Sequence, residues 1–154
     1  MTVYLVRHGS AGVRNDRDPG DDDRPLDPTG HLQAEKLSDW LRHEPVARIV
    51  SSPYERCIQT VQPLAKQLGL EVEVDDRLGE GSDVGGAWDL VTGLAAGTAV
   101  VCSHGDVIPD IVRRAQTRGM HIPGKSGCSK GSVWQLQHWD GERFATGVYT
   151  PVTA

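Results

Sequence analysis

Two short apolar segments that end in the same way constrain most strongly what this chain can fold into. Residues 3–6 are followed by Arg7-His8-Gly9, and residues 98–102 are followed by Ser103-His104-Gly105. Short apolar runs with abrupt polar ends are typical of buried strands. If both strands belong to one parallel sheet, their carboxyl ends lie at the same edge, and the two histidines face one pocket.

The rest of the chain alternates between short apolar runs and helical patterns. Strands are predicted at residues 3–6, 47–50, 72–74, 98–102, 133–136 and 144–149. Helices are predicted at residues 29–43, 52–68, 85–96 and 106–118. This alternation predicts an α/β fold, a three-layer sandwich with a largely parallel central sheet flanked by helices. A chain of 154 residues fits one domain, so we expect residues 1–154 to form a single domain.

The first two predicted helices carry local signals. In the first, an apolar face is predicted from Leu32, Leu37, Trp40 and Leu41. The second begins at Ser52-Pro53-Tyr54-Glu55, where the serine can cap the helix and the glutamate can complete a capping box. Pro63 removes a backbone donor and predicts a kink inside this helix, and Gly69 predicts its end.

Composition excludes several classes of protein. The net charge of -5 argues against a nucleic-acid partner, whose binding would need a basic surface. No apolar stretch approaches the roughly 18 residues of a membrane span, and the first apolar run is too short for a signal-peptide core. We therefore expect a cytoplasmic protein without a membrane partner. The three cysteines form no CxxC pair, so neither a disulfide framework nor a zinc site is predicted.

The predicted pocket suits a phosphate group. The glycine after each histidine lets the backbone turn sharply and lets a ligand approach closely. Arg56 falls in the first turn of the helix after the second strand, which places it at the same sheet edge as Arg7. Two arginines, two histidines and helix N-termini are well suited to holding a phosphate dianion.

A metal site is the main alternative for these histidines. The run Asp21-Asp22-Asp23 could supply further ligands. However, Arg7 beside His8 disfavours a bound cation, and acidic runs more often form solvated loops. The sequence therefore favours a site with no metal and no cofactor.

Four blocks of residues, in order along the chain, carry a family resemblance. They are Leu5-Val6-Arg7-His8-Gly9, then Ser51-Ser52-Pro53 with Arg56 and Thr60, then Arg77-Leu78 with Glu80, then Ser103-His104-Gly105. Together they resemble the histidine phosphatase (phosphoglycerate-mutase-like) superfamily. The match runs from Val3 to about Val133, which is nearly the whole chain.

The resemblance implies a role for each matching residue. His8 would be the nucleophile that becomes phosphorylated, and Glu80 would be the proton donor. Arg7, Arg56 and His104 would be catalytic by binding the phosphoryl oxygens. Gly9 and Ser10 are predicted to complete the phosphate-binding set.

The implied activity is that of a metal-independent phosphatase. It would hydrolyse phosphomonoesters, phosphohistidine or nucleotide phosphates through a phosphohistidine intermediate on His8. A phosphate-binding or protein-interaction module that has lost turnover is the alternative. Glu80 could also be a solvated loop carboxylate, which would remove the general acid.

Further motifs are similar to two small branches of the superfamily. Arg24-Pro25-Leu26-Asp27, Gly30 and Gln33-Ala34-Glu35 resemble bacterial phosphohistidine phosphatases and the phosphatase domain of actinobacterial Nudix-fusion hydrolases. Asp75-Asp76-Arg77-Leu78 leans toward the second branch. The chain departs from the common pattern at Ser10-Ala11-Gly12, and Asn15 falls one place late, so it is assigned no phosphate role.

The substrate remains open between these branches. Only 17 residues separate Glu80 from Thr98, where mutase-type members carry a long insertion, so we expect an open site that favours hydrolysis over mutase chemistry. The predicted partners are a small phosphorylated substrate, such as a nucleotide, or a phosphohistidine protein. Selectivity is assigned to the loops at residues 12–28 and 119–130. Lys125 and Lys130 could contact a second phosphate or remain solvated.

Overall fold

A computed structural model describes residues 1–13 and 20–151 of the chain. Its strands are β1 (Thr2–Arg7), β2 (Arg48–Ser51), β3 (Val72–Val74), β4 (Ala99–Ser103), β5 (Val133–Trp139) and β6 (Phe144–Thr150). Its helices are α1 (Pro28–Leu41), α2 (Glu55–Leu68), α3 (Val84–Leu94) and α4 (Val107–Thr117). Two single 3-10 turns, Asp21–Asp23 and Asp76–Leu78, complete the regular structure. Every predicted strand and helix is present within a few residues of its predicted limits.

All six strands form one sheet in the order β3-β2-β4-β1-β5-β6. The pairs β3–β2, β2–β4 and β4–β1 are parallel. β5 runs antiparallel to β1, and β6 runs antiparallel to β5. The predicted α/β fold with a largely parallel sheet is confirmed. The two strands that carry the Arg-His-Gly and Ser-His-Gly ends are the central pair.

The core lies on both faces of this sheet, because alternate side chains of a strand point to opposite faces. Val3 and Leu5 of β1 pack into a cluster with α3 and α4. Tyr4 and Val6 pack into a second cluster with α1 and α2. The central strands are therefore buried on both sides, which explains why they read as continuous apolar runs rather than alternating ones.

Helix α1 differs from its predicted pattern at one position and gains a cap. Leu37 and Leu41 are buried as predicted, but Leu32 is 65% exposed and does not belong to the apolar face. The cap is Asp27, whose Oδ1 accepts a hydrogen bond from Gly30 N at 2.8 Å. Gly30 is required here because a Cβ at this position would lie 2.0 Å from the carbonyl oxygen of Ser10. This close approach packs α1 against the chain just after β1.

The predicted capping box of α2 is wrong. The helix begins at Glu55, its cap is Tyr54, and no side chain caps it. Ser52 lies further upstream and contacts a histidine instead, as described below. Pro63 lies within the helix, which continues to Leu68 and ends at Gly69 in the left-handed conformation (φ 68°).

None of the described helices combines the length and the apolar composition that crossing a membrane requires.

Candidate active site

The parallel pairing of β1 and β4 brings the two histidines together. Arg7 is in register with Ser103, and His8 N donates to Ser103 O at 3.1 Å. The rings of His8 and His104 meet edge to face with their centroids 5.4 Å apart. Two residues that are 96 positions apart in sequence thus share one pocket, as the matching strand ends predict.

His8 is held in a form suited to attack. Its Nδ1 lies 2.8 Å from its neighbour's carbonyl, Gly9 O, which can only accept, so Nδ1 carries the proton and Nε2 keeps its lone pair. Burial lowers the pKa of His8 to about 3, with the charges of His104, Arg56 and Arg7 adding to the effect and the Gly9 carbonyl opposing it. The imidazole is therefore neutral at physiological pH.

Arg56 is a buried guanidinium, 1% exposed, on the first turn of α2. Its Nη1 donates to Asp21 O at 2.9 Å, and its Nη2 donates to Glu80 Oε2 at 2.8 Å. The guanidinium also stacks on the ring of Tyr54, 4.8 Å from its centroid. Because these contacts come from three separate segments, they hold the cation in one orientation.

Arg7 is fixed from the other side of the pocket. Its Nη1 donates to the carbonyl oxygen of Cys128 at 2.6 Å. Gly105 lies so close that a Cβ there would be 2.8 Å from Arg7 Cζ, so only glycine leaves the guanidinium in place. The backbone oxygens of Arg7 and His8 both accept from Gly131 N, at 3.1 and 3.0 Å. The loop that precedes β5 thus supports the end of β1.

His104 is 1% exposed and is held at its inner nitrogen. Its Nε2 lies 2.9 Å from Ser52 Oγ, and its ring packs against that of Tyr54 with centroids 4.5 Å apart. Its Nδ1 lies 3.6 Å from Glu80 Oε2. Glu80 therefore lies between His104 and Arg56 on the pocket wall.

Three buried nitrogens around this pocket have no hydrogen-bond partner among the described residues. They are Arg7 Nε, Arg56 Nε and His104 Nδ1. Buried donors are nearly always satisfied, so such a cluster points to an acceptor that arrives with a ligand. An anion with several oxygens, such as a phosphoryl group, fits three donors that approach from different directions.

The pocket has a volume of about 690 Å³, which is far more than one phosphate needs. Its wall is formed by Arg7, His8, Gly12, Arg24, Tyr54, Arg56, Glu80, Gly81, His104, Gly105, Asp106 and Lys130. Four arginine and lysine side chains face two carboxylates, so the pocket is positive despite the negative net charge of the chain. Its size leaves room for the group that carries the phosphate.

Comparison with known proteins decides the family. The family model of the histidine phosphatase superfamily (branch 1) matches residues 3–89, which is more than half of the chain. The chain belongs to the histidine phosphatase superfamily. The family assignment made from the four sequence blocks is confirmed.

Individual members of known function or structure are similar to this chain by sequence and by structure. An 8-oxo-(d)GTP phosphatase of Mycolicibacterium smegmatis is 35% identical over an alignment of 156 positions. The alignment covers 97% of this chain and 48% of that protein. The chain spans about half or less of the length of the first curated relatives that it matches.

Two solved structures illustrate the fold that this chain shares. The protein histidine phosphatase SixA, complexed with tungstate, has a TM-score of 0.76 at 22% identity, covering 97% of this chain and 94% of that one. Mycobacterial glucosyl-3-phosphoglycerate phosphatase Rv2419c, in complex with VO3, has a TM-score of 0.75 at 20% identity over 99% of both chains.

Five of the predicted site residues meet in this pocket, and two do not. Gly9 and Ser10 are absent from the wall, because their polar groups bond elsewhere. Gly9 N donates to Thr60 Oγ1 at 3.0 Å, and Ser10 N donates to Gln33 Oε1 at 2.8 Å. The Ser10 hydroxyl donates to Asp27 Oδ2 at 2.6 Å, which lowers the pKa of that carboxyl. These bonds hold the loop after β1 in place, and the role of Gly9 and Ser10 in phosphate binding stays a prediction.

Several residues in or beside the pocket are not predicted as site residues by the sequence. Ser52, which belongs to a family block and to the predicted helix cap, lies behind His104 rather than on the wall, and Arg24, which marks the branch, lies on the wall. Tyr54 and Asp106 carried no signal beyond their place next to a motif. Of the two lysines considered for a second phosphate, Lys130 lies on the pocket wall and Lys125 does not.

In the acidic run Asp21-Asp22-Asp23, the first residue lies against two arginine side chains. Asp21 pairs with Arg24 at 2.9 Å, and its Oδ2 lies 3.7 Å from Arg56 Nη2. Across residues 1–13 and 20–151, no three His, Cys, Asp or Glu side chains are grouped so that they could hold a metal ion. Asn15 lies outside the described residues.

Proposed function

We propose that this protein is a metal-independent phosphatase that works through a phosphohistidine on His8. The observation that carries the proposal is the state of His8: its Nδ1–H is bonded to Gly9 O, its pKa is lowered to about 3, and it stands in a pocket of buried guanidiniums. An imidazole with a free lone pair beside an anion-binding wall is an activated nucleophile.

Binding would begin with the phosphoryl oxygens. The unpartnered Nε atoms of Arg7 and Arg56 and Nδ1 of His104 offer three donors to them. Charge-assisted hydrogen bonds to phosphate are stronger than neutral ones. The phosphorus would thereby be brought in front of His8 Nε2.

The reaction then proceeds in two steps. In the first, a bond forms between His8 Nε2 and phosphorus while the bond from phosphorus to the leaving oxygen breaks. Glu80 enters this step as the protonated carboxylic acid, gives its proton to this oxygen and becomes a carboxylate. In the second, Glu80 takes a proton from water as the water attacks phosphorus. The nitrogen–phosphorus bond breaks, inorganic phosphate leaves, and His8 is restored.

In this scheme two arginines, rather than a metal ion, supply the positive charge that stabilises the transferring phosphoryl group. Negative charge on the transferring phosphoryl group needs stabilisation, which many phosphoryl-transfer enzymes obtain from Mg²⁺. Here Arg7 and Arg56 supply two fixed positive charges, and both are held by backbone carbonyl oxygens. Preorganised cations of this kind do not need to reorient during the reaction.

The substrate proposed is a phosphorylated small molecule, such as a nucleotide, or a phosphohistidine protein. The pocket favours hydrolysis over mutase chemistry, because the chain after Glu80 adds only Gly81 to the wall before α3 begins and so leaves the site open to water. The named activities of the relatives, an 8-oxo-(d)GTP phosphatase and a protein histidine phosphatase, motivate both substrate classes.

The test is phosphate release in EDTA from a panel of phosphorylated compounds. The panel contains an aryl phosphate, a phosphohistidine protein, nucleoside di- and triphosphates, and 8-oxo-dGTP. We expect release that depends on His8, with His8→Ala as the blank, and the preferred compound identifies the substrate class. A requirement for added Mg²⁺ or Zn²⁺ would reject the mechanism. Silence across the panel, with tungstate still bound, would favour a binding module instead.

A further inference from the structure

We propose that Ser52 is a positioning residue that selects the tautomer of His104. Its hydroxyl donates to His104 Nε2, so that the proton of this imidazole stays on Nδ1 and points toward the phosphoryl group. The effect on catalysis rests on the proposed function, whereas the tautomer itself can be observed without it.

The backbone fixes Ser52 beneath the histidine. The residue follows β2 directly, is fully buried, and its N–H donates to Cys102 O at 3.0 Å in the neighbouring strand β4. Because β4 continues into Ser103 and His104, the serine and the histidine are held by the same strand pair. The distance of 2.9 Å between Ser52 Oγ and His104 Nε2 is that of a good hydrogen bond.

The other contacts of Ser52 Oγ decide the direction of that bond. The oxygen accepts a hydrogen bond from Tyr54 N at 3.3 Å. A hydroxyl has one proton to donate, and its two candidate acceptors are His104 Nε2 at 2.9 Å and the Cys57 side chain, whose sulfur is the weaker acceptor. The competing group at this nitrogen is the thiol of Cys57, but it lies 3.6 Å away, is a weak donor, and has the carbonyl of Ser103 at 3.8 Å.

The contacts of Nδ1, on the opposite side of the His104 ring, independently favour a proton on Nδ1. Nδ1 is 3.6 Å from Glu80 Oε2, an oxygen that already accepts a hydrogen bond from Arg56 Nη2. A lone pair on Nδ1 would face that oxygen, and later the phosphoryl oxygens, with like charge. A proton on Nδ1 is attracted to both. The contacts at the two nitrogens therefore agree on the Nδ1–H form.

In this arrangement His104 and the two arginines have different roles at the pocket wall. His104 acts as a donor whose proton is already oriented, while Arg7 and Arg56 supply fixed positive charge. The packing of Tyr54 against the imidazole, with centroids 4.5 Å apart, prevents the ring from turning over. Removal of the Ser52 hydroxyl would leave Nε2 buried without a strong donor and would allow the proton to move to the wrong nitrogen.

The direct test is long-range proton–nitrogen NMR of the histidine side chains, which distinguishes protonated from unprotonated ring nitrogens. His104→Gln identifies the His104 signals. In the wild-type protein we expect a neutral His104 with its proton on Nδ1. In Ser52→Ala we expect a mixture of tautomers or the Nε2–H form. A wild-type His104 with its proton on Nε2, or a ring unaffected by Ser52→Ala, would overturn the inference.

Kinetics supply the second readout, with Ser51→Ala as the matched control. Ser51 is an adjacent, equally buried serine whose hydroxyl donates to Ser52 O at 2.8 Å and does not contact His104. For Ser52→Ala we expect kcat to fall by roughly 10- to 100-fold, the range typical for loss of a partner that orients a functional histidine. Ser52→Thr, which keeps the hydroxyl, should restore most of the rate, and Ser51→Ala should keep it.

A double variant separates positioning from a general loss of structure. In the His104→Gln background, Ser52→Ala should cost less than about twofold further, because residues that act as a unit are not additive. A full additional loss would contradict the inference. If the wild-type protein releases no phosphate at all, the proposed function fails, and the NMR measurement still decides the tautomer.

Discussion

Arg56 Nη2 donates to Glu80 Oε2 at 2.8 Å, and the same oxygen lies 3.6 Å from His104 Nδ1. A single carboxylate oxygen thus lies between two of the groups that the proposed mechanism assigns to the phosphoryl oxygens. Glu80 is therefore close enough to reach the leaving oxygen of a phosphoryl group bound there. It also competes for those donors, because carboxylate and phosphoryl oxygens are both acceptors.

Glu80→Gln should separate these two effects. General acid help is typically worth about 10²–10⁴-fold, so kcat for substrates with poor leaving groups should fall within that range. An aryl phosphate, whose leaving group needs little protonation, should be affected much less. Tungstate affinity should be retained or increased, since the competing negative charge is gone. An equal loss for all leaving groups would contradict the acid role.

His8→Ala should remove the phosphoenzyme as well as the turnover. Rapid acid-free quenching of the wild-type protein with a labelled substrate should trap a phosphoramidate that is stable in alkali and labile in acid. The variant should show neither this species nor phosphate release. The control is tungstate binding, which Arg7 and Arg56 should still support. Labelled protein in the variant would place the nucleophile elsewhere.

The lowered pKa of His8 predicts a specific dependence of stability on pH. The pKa falls from the ordinary 6.5 to about 3 in the folded protein, mainly through burial. Above pH 6.5 the residue is neutral in both states and contributes nothing to the pH dependence. Between pH 6.5 and 3 the unfolded chain binds a proton that the folded one does not, so the free energy of unfolding falls as the pH falls.

The measurement is denaturant unfolding from pH 7.5 to 4 for wild type and His8→Asn. The wild type should lose up to about 1.4 kcal/mol more per pH unit than the variant once the pH is well below 6.5. Parallel curves for the two proteins would show that the folded imidazole titrates normally.

Gly105→Ala should disturb Arg7 without touching the nucleophile. A Cβ at this position would lie 2.8 Å from Arg7 Cζ and would push the guanidinium out of the pocket. Loss of one preorganised donor typically costs about 10²–10³-fold in kcat, and we expect an effect approaching that range. Gly97→Ala is the matched control, because nothing lies within 4 Å of its Cβ position. Equal activity of both variants would argue against the role of Arg7.

The fold and the main site residues could be predicted because their signals are local. Each buried strand ends at a motif, and parallel pairing of β1 and β4 alone brings His8 and His104 together. Periodicity was less reliable at Leu32, which fits an apolar spacing and yet points to solvent. The helix limits shifted by only a few residues, since glycine and proline mark them.

Some contacts could not be predicted because they join distant segments. Ser52 fits a capping pattern, and only the position of β4 shows that its hydroxyl meets His104 instead. Gly9 and Ser10 follow the proposed nucleophile in sequence, but Thr60 of α2 and Gln33 of α1 accept hydrogen bonds from their N–H groups. A position next to His8 in sequence therefore does not indicate which way a backbone donor points.

The sheet order places β4 and β1 at its centre, with two strands on either side. Hydrogen bonds on both edges of each strand must break before the backbone that carries either histidine can open, so amide exchange should be slowest there. The parts of the wall that come from loops, such as Gly12, Arg24 and Lys130, have no such restraint. In evolutionary terms, substitutions at these three loop positions can change which molecule enters while the two histidines stay in position, whereas the loop carbonyls of Asp21 and Cys128 must be kept because they hold Arg56 and Arg7.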